Sequence, residues 1–214
     1  MFKISKIIDI SLPLQENMVI YPGNPEFSLE FIKKIPEFTS TVSKLSIGSH
    51  SGTHVDAPKH VDENGKPISF TDISKLIGPA IVIDCTEVDF GNGITKEILQ
   101  TKPIKPNMII LLKTKNSKRG YSTFYSDFIF VDSTGADYLL EKKVRSIGVD
   151  YLGIQKYHSG NNIVHKAFLD KEIPIIEGLN LSAASQGTYF LSCLPLNVIN
   201  AEASMARAVL IEGG

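Results

Sequence analysis

Short apolar runs alternate with turn-rich stretches along the chain, and their spacing predicts a succession of strands with a few short helices. Lys3 to Leu12 carries Ile4, Ile7, Ile8 and Ile10 in a β-branched run that Pro13 ends. Tyr21-Pro22-Gly23-Asn24-Pro25 reads as a loop whose Pro-Gly pair fits a type II turn. Phe27, Leu29 and Phe31 alternate with polar neighbours from Phe27 to Lys33, and Val42, Leu45 and Ile47 mark a second strand over Thr41 to Ile47. Pro79 to Val88 is an apolar strand candidate, and Met108 to Leu112 has the unbroken pattern of a strand buried on both faces. Asp127 to Val131, Ser146 to Asp150 and Pro174 to Glu177 are shorter candidates; Thr188 to Ile199 and Ala206 to Ile211 close the series.

Helix signals are fewer. Thr95 suits the cap of a short helix through Gln100. Ser133 or Thr134 can cap a helix to about Lys143, with Asp137 placed as in a capping box and Lys142 and Lys143 where the dipole favours cations. Asn162 to Leu169 suits a third. Roughly nine strands with two or three short helices imply one α/β domain over residues 1–214, with a mixed, β-rich central sheet.

Composition narrows the function classes. Of 214 residues, 43% are hydrophobic and 21% charged, the balance of a globular chain. The net charge of −1 comes without basic blocks, which argues against nucleic acid or an anionic membrane as partner. Cys85 and Cys193, the only cysteines, sit in apolar runs and are expected as buried free thiols. The N-terminus lacks the apolar core of a signal peptide, and no apolar run approaches the ~18 residues of a membrane span, so a cytoplasmic location is expected. Gly91-Asn92-Gly93 is too short for a phosphate loop, and no G-x-S-x-G marks a serine nucleophile.

The chemistry concentrates in His50-Ser51-Gly52-Thr53-His54-Val55-Asp56-Ala57-Pro58-Lys59-His60, which holds three of the five histidines. Imidazole and carboxylate bind Zn²⁺ or Mn²⁺. His50, His54, Asp56 and His60 share one face of an extended chain. A straight strand, however, would set the Cα atoms of His50 and His54 about 13 Å apart, too far for two rings to grip one ion comfortably. A kink at Gly52 relieves this, Pro58 holds Ala57 extended, and Thr53 is positioned to hydrogen-bond a ligand. His158 and His165 remain as further histidines, with Asp150, Asp170, Glu172 and Glu177 as downstream acids. Glu177 stands out because it ends the apolar run Ile173-Pro174-Ile175-Ile176, where a carboxylate needs a partner or a metal. Neither cysteine lies near the cluster, which favours a catalytic site over a structural ion in a non-catalytic metal-binding protein.

The block from His50 to His60 resembles the signature of the metal-dependent cyclase family, which includes bacterial kynurenine formamidase and isatin hydrolase. Asp9-Ile10-Ser11-Leu12-Pro13-Leu14, Tyr21-Pro22-Gly23, Gly148-Val149-Asp150, His165 and Glu177-Gly178-Leu179-Asn180-Leu181 extend the resemblance over nearly the whole chain. It implies a compact α/β unit with a β-rich, barrel-like core, assembled as a homo-oligomer (dimer or tetramer). It also implies two divalent ions per subunit, Zn or Mn. His50, His54 and Asp56 would hold one, Asp56 would bridge to a second held by His165 and Glu177, and His60 would be the proton donor and acceptor. The implied activity is hydrolysis of a C–N amide bond in a small aryl molecule, N-formylkynurenine to kynurenine and formate, or a cyclic amide such as isatin. Tyr21 stands where the formamidases carry a pocket tryptophan, and Asn24 where an aspartate is common; the chain has no tryptophan.

Overall fold

Parallel strands with apolar side chains on both faces need cover on both sides, and a barrel wrapped by helices supplies it. The computed structural model describes residues 4–213. Among them are twelve strands: β1 (Ile4–Asp9), β2 (Ser28–Lys33), β3 (Val42–Ser46), β4 (His54–Asp56), β5 (Ile77–Asp84), β6 (Gly93–Ile94), β7 (Ile109–Lys113), β8 (Phe130–Val131), β9 (Ser146–Val149), β10 (Ile175–Glu177), β11 (Gly187–Pro195) and β12 (Ala203–Gly213). The α-helices are α1 (Lys96–Gln100), α2 (Lys115–Arg119), α3 (Ser133–Glu141) and α4 (Ile163–Leu169).

The main sheet runs β1-β12-β11-β5-β7-β9-β10-β4, and β4 pairs back onto β12. Seven strands therefore close into a mixed barrel, with β1 continuing the edge of β12 beyond β4. The run β5, β7, β9, β10 is parallel, and the other pairings are antiparallel. Strand alternation sorts the side chains. Val55, Ala80, Val82, Ile109, Leu111, Ile176, Leu191 and Leu210 belong to one buried cluster, the barrel interior. Ile81, Ile83, Ile110, Leu112, Ile147 and Ile175 belong to another, joined by Leu99, Leu139, Val144 and Phe168 from the helical layer. β7 is thus buried on both faces, as its unbroken apolar run predicts. Gly148 faces the interior because a Cβ there would lie 2.5 Å from Leu111 Cδ2.

Other expectations shift. The first strand stops at Asp9, and Lys3 lies outside the described residues. β11 stops at Pro195 rather than Ile199, and the chain then turns through Asn200 at φ 65°. Asp132, not Ser133 or Thr134, caps α3: its Oδ1 accepts from Gly135 N at 2.8 Å. The Thr134 hydroxyl is occupied elsewhere, accepting from Lys96 N and donating to Asp132. Helix α2 and strand β6 carry too little periodicity to be read in advance. β2 and β3 form a separate two-stranded ribbon without a single buried residue, although their alternation suggested a buried face. Cys85 and Cys193 are buried free thiols, and burial pushes both up to about 12. Among the described residues no helix is long and apolar enough to cross a membrane.

Candidate metal centre

Register brings the first pair together. β4 lies between β10 and β12, with Glu177 opposite His54 and Ile175 opposite Asp56. Val55 and Ile176 turn into the barrel, so His54, Asp56 and Glu177 emerge on its outer face. Two tight glycines set this up. Gly52 has φ +60°, which is the kink expected ahead of β4. Gly178 has φ +68°, and a Cβ there would lie 2.1 Å from Gly52 O. Thr53 clamps the same crossing: its hydroxyl donates to Gly178 O at 2.6 Å and accepts from Leu12 N at 2.8 Å. Thr53 therefore binds backbone, not a ligand side chain as the sequence suggested. Beyond β4, Ala57 is extended and Pro58–His60 forms one 3₁₀ turn, which carries His60 back toward the cluster. Helix α4 adds His165 from above.

The side chains converge. His50 Nδ1 lies 2.9 Å from Asp56 Oδ1, and His54 Nε2 lies 3.5 Å from the same oxygen. Glu177 Oε2 is 3.4 Å from His54 Nε2, and Glu177 Oε1 is 3.4 Å from His165 Nε2. The His60 ring centroid stands 4.3 Å from that of His50 and 5.4 Å from that of His165. Two groups have ligand atoms within 4.8 Å of one another: His50, Asp56 and His60, and His54, Asp56 and Glu177. Asp56 belongs to both. The resemblance instead assigned His50, His54 and Asp56 to one ion and made His60 a proton carrier, so His60 stands within reach of both roles.

The electrostatics of the cluster fit a cation. His54 Nδ1 lies 3.0 Å from Gly52 O, which can only accept, so Nδ1 carries the hydrogen. In the neutral ring Nε2 then aims a lone pair at two carboxylates, an arrangement that a positive charge between them resolves. Asp56 is 1% exposed and Glu177 3%. Both Asp56 oxygens, His54 Nε2 and His165 Nδ1 are buried without an aligned hydrogen bond among the described residues. Orphaned buried charge of this kind is costly unless an ion completes it. A His/carboxylate donor set with such atoms fits divalent metal. Burial alone would raise Glu177, but His165 and His54 hold it well below the usual carboxylate range. Burial pulls His50 down, yet Asp56, with Glu177 and Glu202, raises it to about 9. Desolvation, with the neighbouring His50 and His165 rings, keeps His60 below the usual histidine value.

A cavity of about 390 Å³ opens onto these groups. His50, His60, His165 and Glu177 form its floor, and Tyr21 stands in its wall. The Tyr21 ring packs edge-on against Phe124 and Tyr157 at 5.3 and 5.6 Å. Burial first, then Glu177 and Tyr157, raises its phenol to about 12, so it stays neutral. Gln155 and Asn161 also line the cavity and were missed, because nothing in their spacing marks them. Gln155 accepts from Val164 N at 2.8 Å and so holds the start of α4 beneath His165. His158 lines the wall without joining the cluster, stacked on Tyr157 at 4.0 Å. Asp150, the other buried acid, is satisfied by Thr114 and Ser117 and takes no part.

A closed mixed barrel with a His/carboxylate cluster at a cavity floor defines a metal-dependent hydrolase. Residues 8–156 match the Cyclase family model, described as "Putative cyclase". The chain is 34% identical over 210 residues to a kynurenine formamidase of Bacillus anthracis, covering 97% of this chain and 98% of that one. Among solved structures, a potential metal-dependent hydrolase with cyclase activity is 34% identical with a TM-score of 0.84, over 96% of this chain and 97% of that one. Isatin hydrolase A of Labrenzia aggregata shares the fold with a TM-score of 0.86 at 19% identity, over 98% of this chain and 94% of that one. The chain belongs to the cyclase family. It is a metal-dependent amide hydrolase of that family. The family match ends before His165 and Glu177; the barrel register brings Glu177 to His54, and α4 brings His165 to Glu177.

Proposed function

We propose that the chain hydrolyses the amide C–N bond of a small N-formylated aryl amine, with N-formylkynurenine as the substrate and kynurenine and formate as products. The observation that carries this reading is the orphaned, Asp56-centred cluster at the floor of an open cavity. His50, His54, Asp56, His165 and Glu177 would hold two divalent ions, Zn or Mn. Such ions would lower the pKa of bound water to about 7 and polarise a carbonyl. His60 does the proton work. Held below its usual value, it is neutral at pH 7, takes a proton from water as the C–O bond forms, and returns it to the nitrogen as the C–N bond breaks. Tyr21, with Phe124 and Tyr157 behind it, offers an aryl ring an edge-on wall.

The tyrosine at that wall favours a second reading, in which the substrate is a cyclic amide such as isatin. Turnover of the metal-loaded chain on N-formylkynurenine and on isatin separates the two. Release of formate from the first, with no opening of the second, is the expected result; the reverse would overturn it. We also place the chain in the cytoplasm as a homo-oligomer. The exposed β2–β3 ribbon supports assembly, since it carries Phe31, Ile32, Val42 and Leu45 largely uncovered.

A further inference from the structure

His50 touches two carboxylates at once, one on each ring nitrogen. Nδ1 lies 2.9 Å from Asp56 Oδ1, and Nε2 lies 3.5 Å from Glu202 Oε1. Glu202 stands one residue before β12 and is not a member of either donor group. It is nevertheless fixed in place. Ala57 N donates to its carbonyl at 2.9 Å, which ties it to the end of β4. The Ser49 hydroxyl donates to Oε1 in a short hydrogen bond, from the residue next to His50. No lysine or arginine pairs with Glu202 among the described residues; its cationic neighbour is the His50 ring.

To bind a metal the His50 ring must give up one proton, and the neutral imidazole that remains has a single N–H. If the hydrogen sits on Nδ1, it is donated to Asp56, and the nitrogen and oxygen that a metal would share are tied to each other. If it sits on Nε2, Glu202 Oε1 at 3.5 Å is the carboxylate oxygen within reach to receive it, and Nδ1 is left with its lone pair 2.9 Å from the Asp56 oxygen. We infer that Glu202 is a positioning residue for the metal centre: by accepting from His50 Nε2 it selects the tautomer whose Nδ1 is free to bind a divalent ion. Gly52 O does the same for His54 from the other side, accepting from Nδ1 and freeing Nε2. The two histidines thus present opposite nitrogens, each prepared by an acceptor on its far side, an arrangement that outer partners of metal-binding histidines commonly provide.

This rests on the metal-centre reading above, and its test is metal affinity rather than turnover. Zn²⁺ or Mn²⁺ is titrated against a chromophoric chelator in the wild type, Glu202→Ala and Glu202→Gln, with metal-free thermal unfolding measured alongside. Removing an outer partner of this kind lowers affinity by about 10- to 100-fold, and that loss is expected for Glu202→Ala. Glu202→Gln keeps a carbonyl oxygen to accept from Nε2 and should recover most of the affinity. Wild-type affinity in Glu202→Ala would overturn the role, as would a Glu202→Gln variant no better than alanine, which would leave only a charge effect. A loss of affinity matched by loss of metal-free stability would make Glu202 merely structural, and would equally overturn it. A wild-type chain that takes up no divalent ion overturns the metal-centre reading itself and this inference with it; uptake that is indifferent to Glu202 overturns the inference alone.

Discussion

At the scale of single residues, the division of labour among the four clustered histidines is open to direct measurement. His60 faces the cavity, while Asp56 is buried in both donor groups. His60→Ala should lower turnover by about 100- to 10,000-fold, the usual worth of a general acid–base, while metal content by atomic absorption stays at the wild-type level. Loss of one ion in that variant would recast His60 as a ligand. Asp56→Ala should lose bound metal outright, because it removes a carboxylate common to both groups; full occupancy would sink the shared-ligand assignment. The residue types were legible in the sequence because three histidines and an aspartate within eleven positions have few bland explanations. Thr53 was misjudged for a physical reason. Its hydroxyl is spent on Leu12 N and Gly178 O, which lie far off in the sequence, and no local pattern reveals a crossing of that kind. Glu202 was invisible for the same reason.

At the scale of elements, some local signals held and others did not, and the strand pairings carried no local signal. Thr95 caps α1 as its hydroxyl predicts, and β7 lies where the apolar run does. The capping of α3 by Asp132 shows the limit of such reasoning, since three adjacent residues can cap and the Thr134 hydroxyl is taken up by Lys96 N and Asp132. The crossing of Gly52 under Gly178 is the element-level feature that sets the cluster. Gly178→Ala meets both a left-handed backbone and a carbonyl oxygen 2.1 Å from the new Cβ. It should destabilise the chain by roughly 3 kcal/mol or more, read as a lower urea midpoint. Metal content should fall as well, because Glu177 is the adjacent residue. An unchanged midpoint would mean that the turn relaxes freely, and the role given to this crossing would be wrong.

At the scale of the molecule, strand number was approximately legible and the family resemblance implied a barrel-like core, but which strands close the ring was not legible. Closure depends on β4 meeting β12, and three residues carry no sequence mark of a partner so far along the chain. The β2–β3 ribbon was read as two strands, but its lack of burial shows only in three dimensions. An isolated two-stranded ribbon is marginally stable in water. Its apolar side chains, beside a groove lined by Leu14, Phe27 and Leu196, are therefore expected to be covered by a second copy. Phe31→Lys with Leu45→Lys should shift the mass seen by light scattering from an oligomer to a monomer. A wild-type protein already monomeric at micromolar concentration would refute this.

The seam at β4 also bears on how the protein is made. His54 and Asp56 leave the ribosome early, Glu177 much later, and β12 later still. Synthesis proceeds at about 5–20 residues per second, so the histidine-rich segment waits several seconds for its counterparts. Throughout that interval it is a loose chelating peptide without a barrel to hold its shape. The full donor set proposed for the ions would therefore exist only once β10 and β12 have closed on β4.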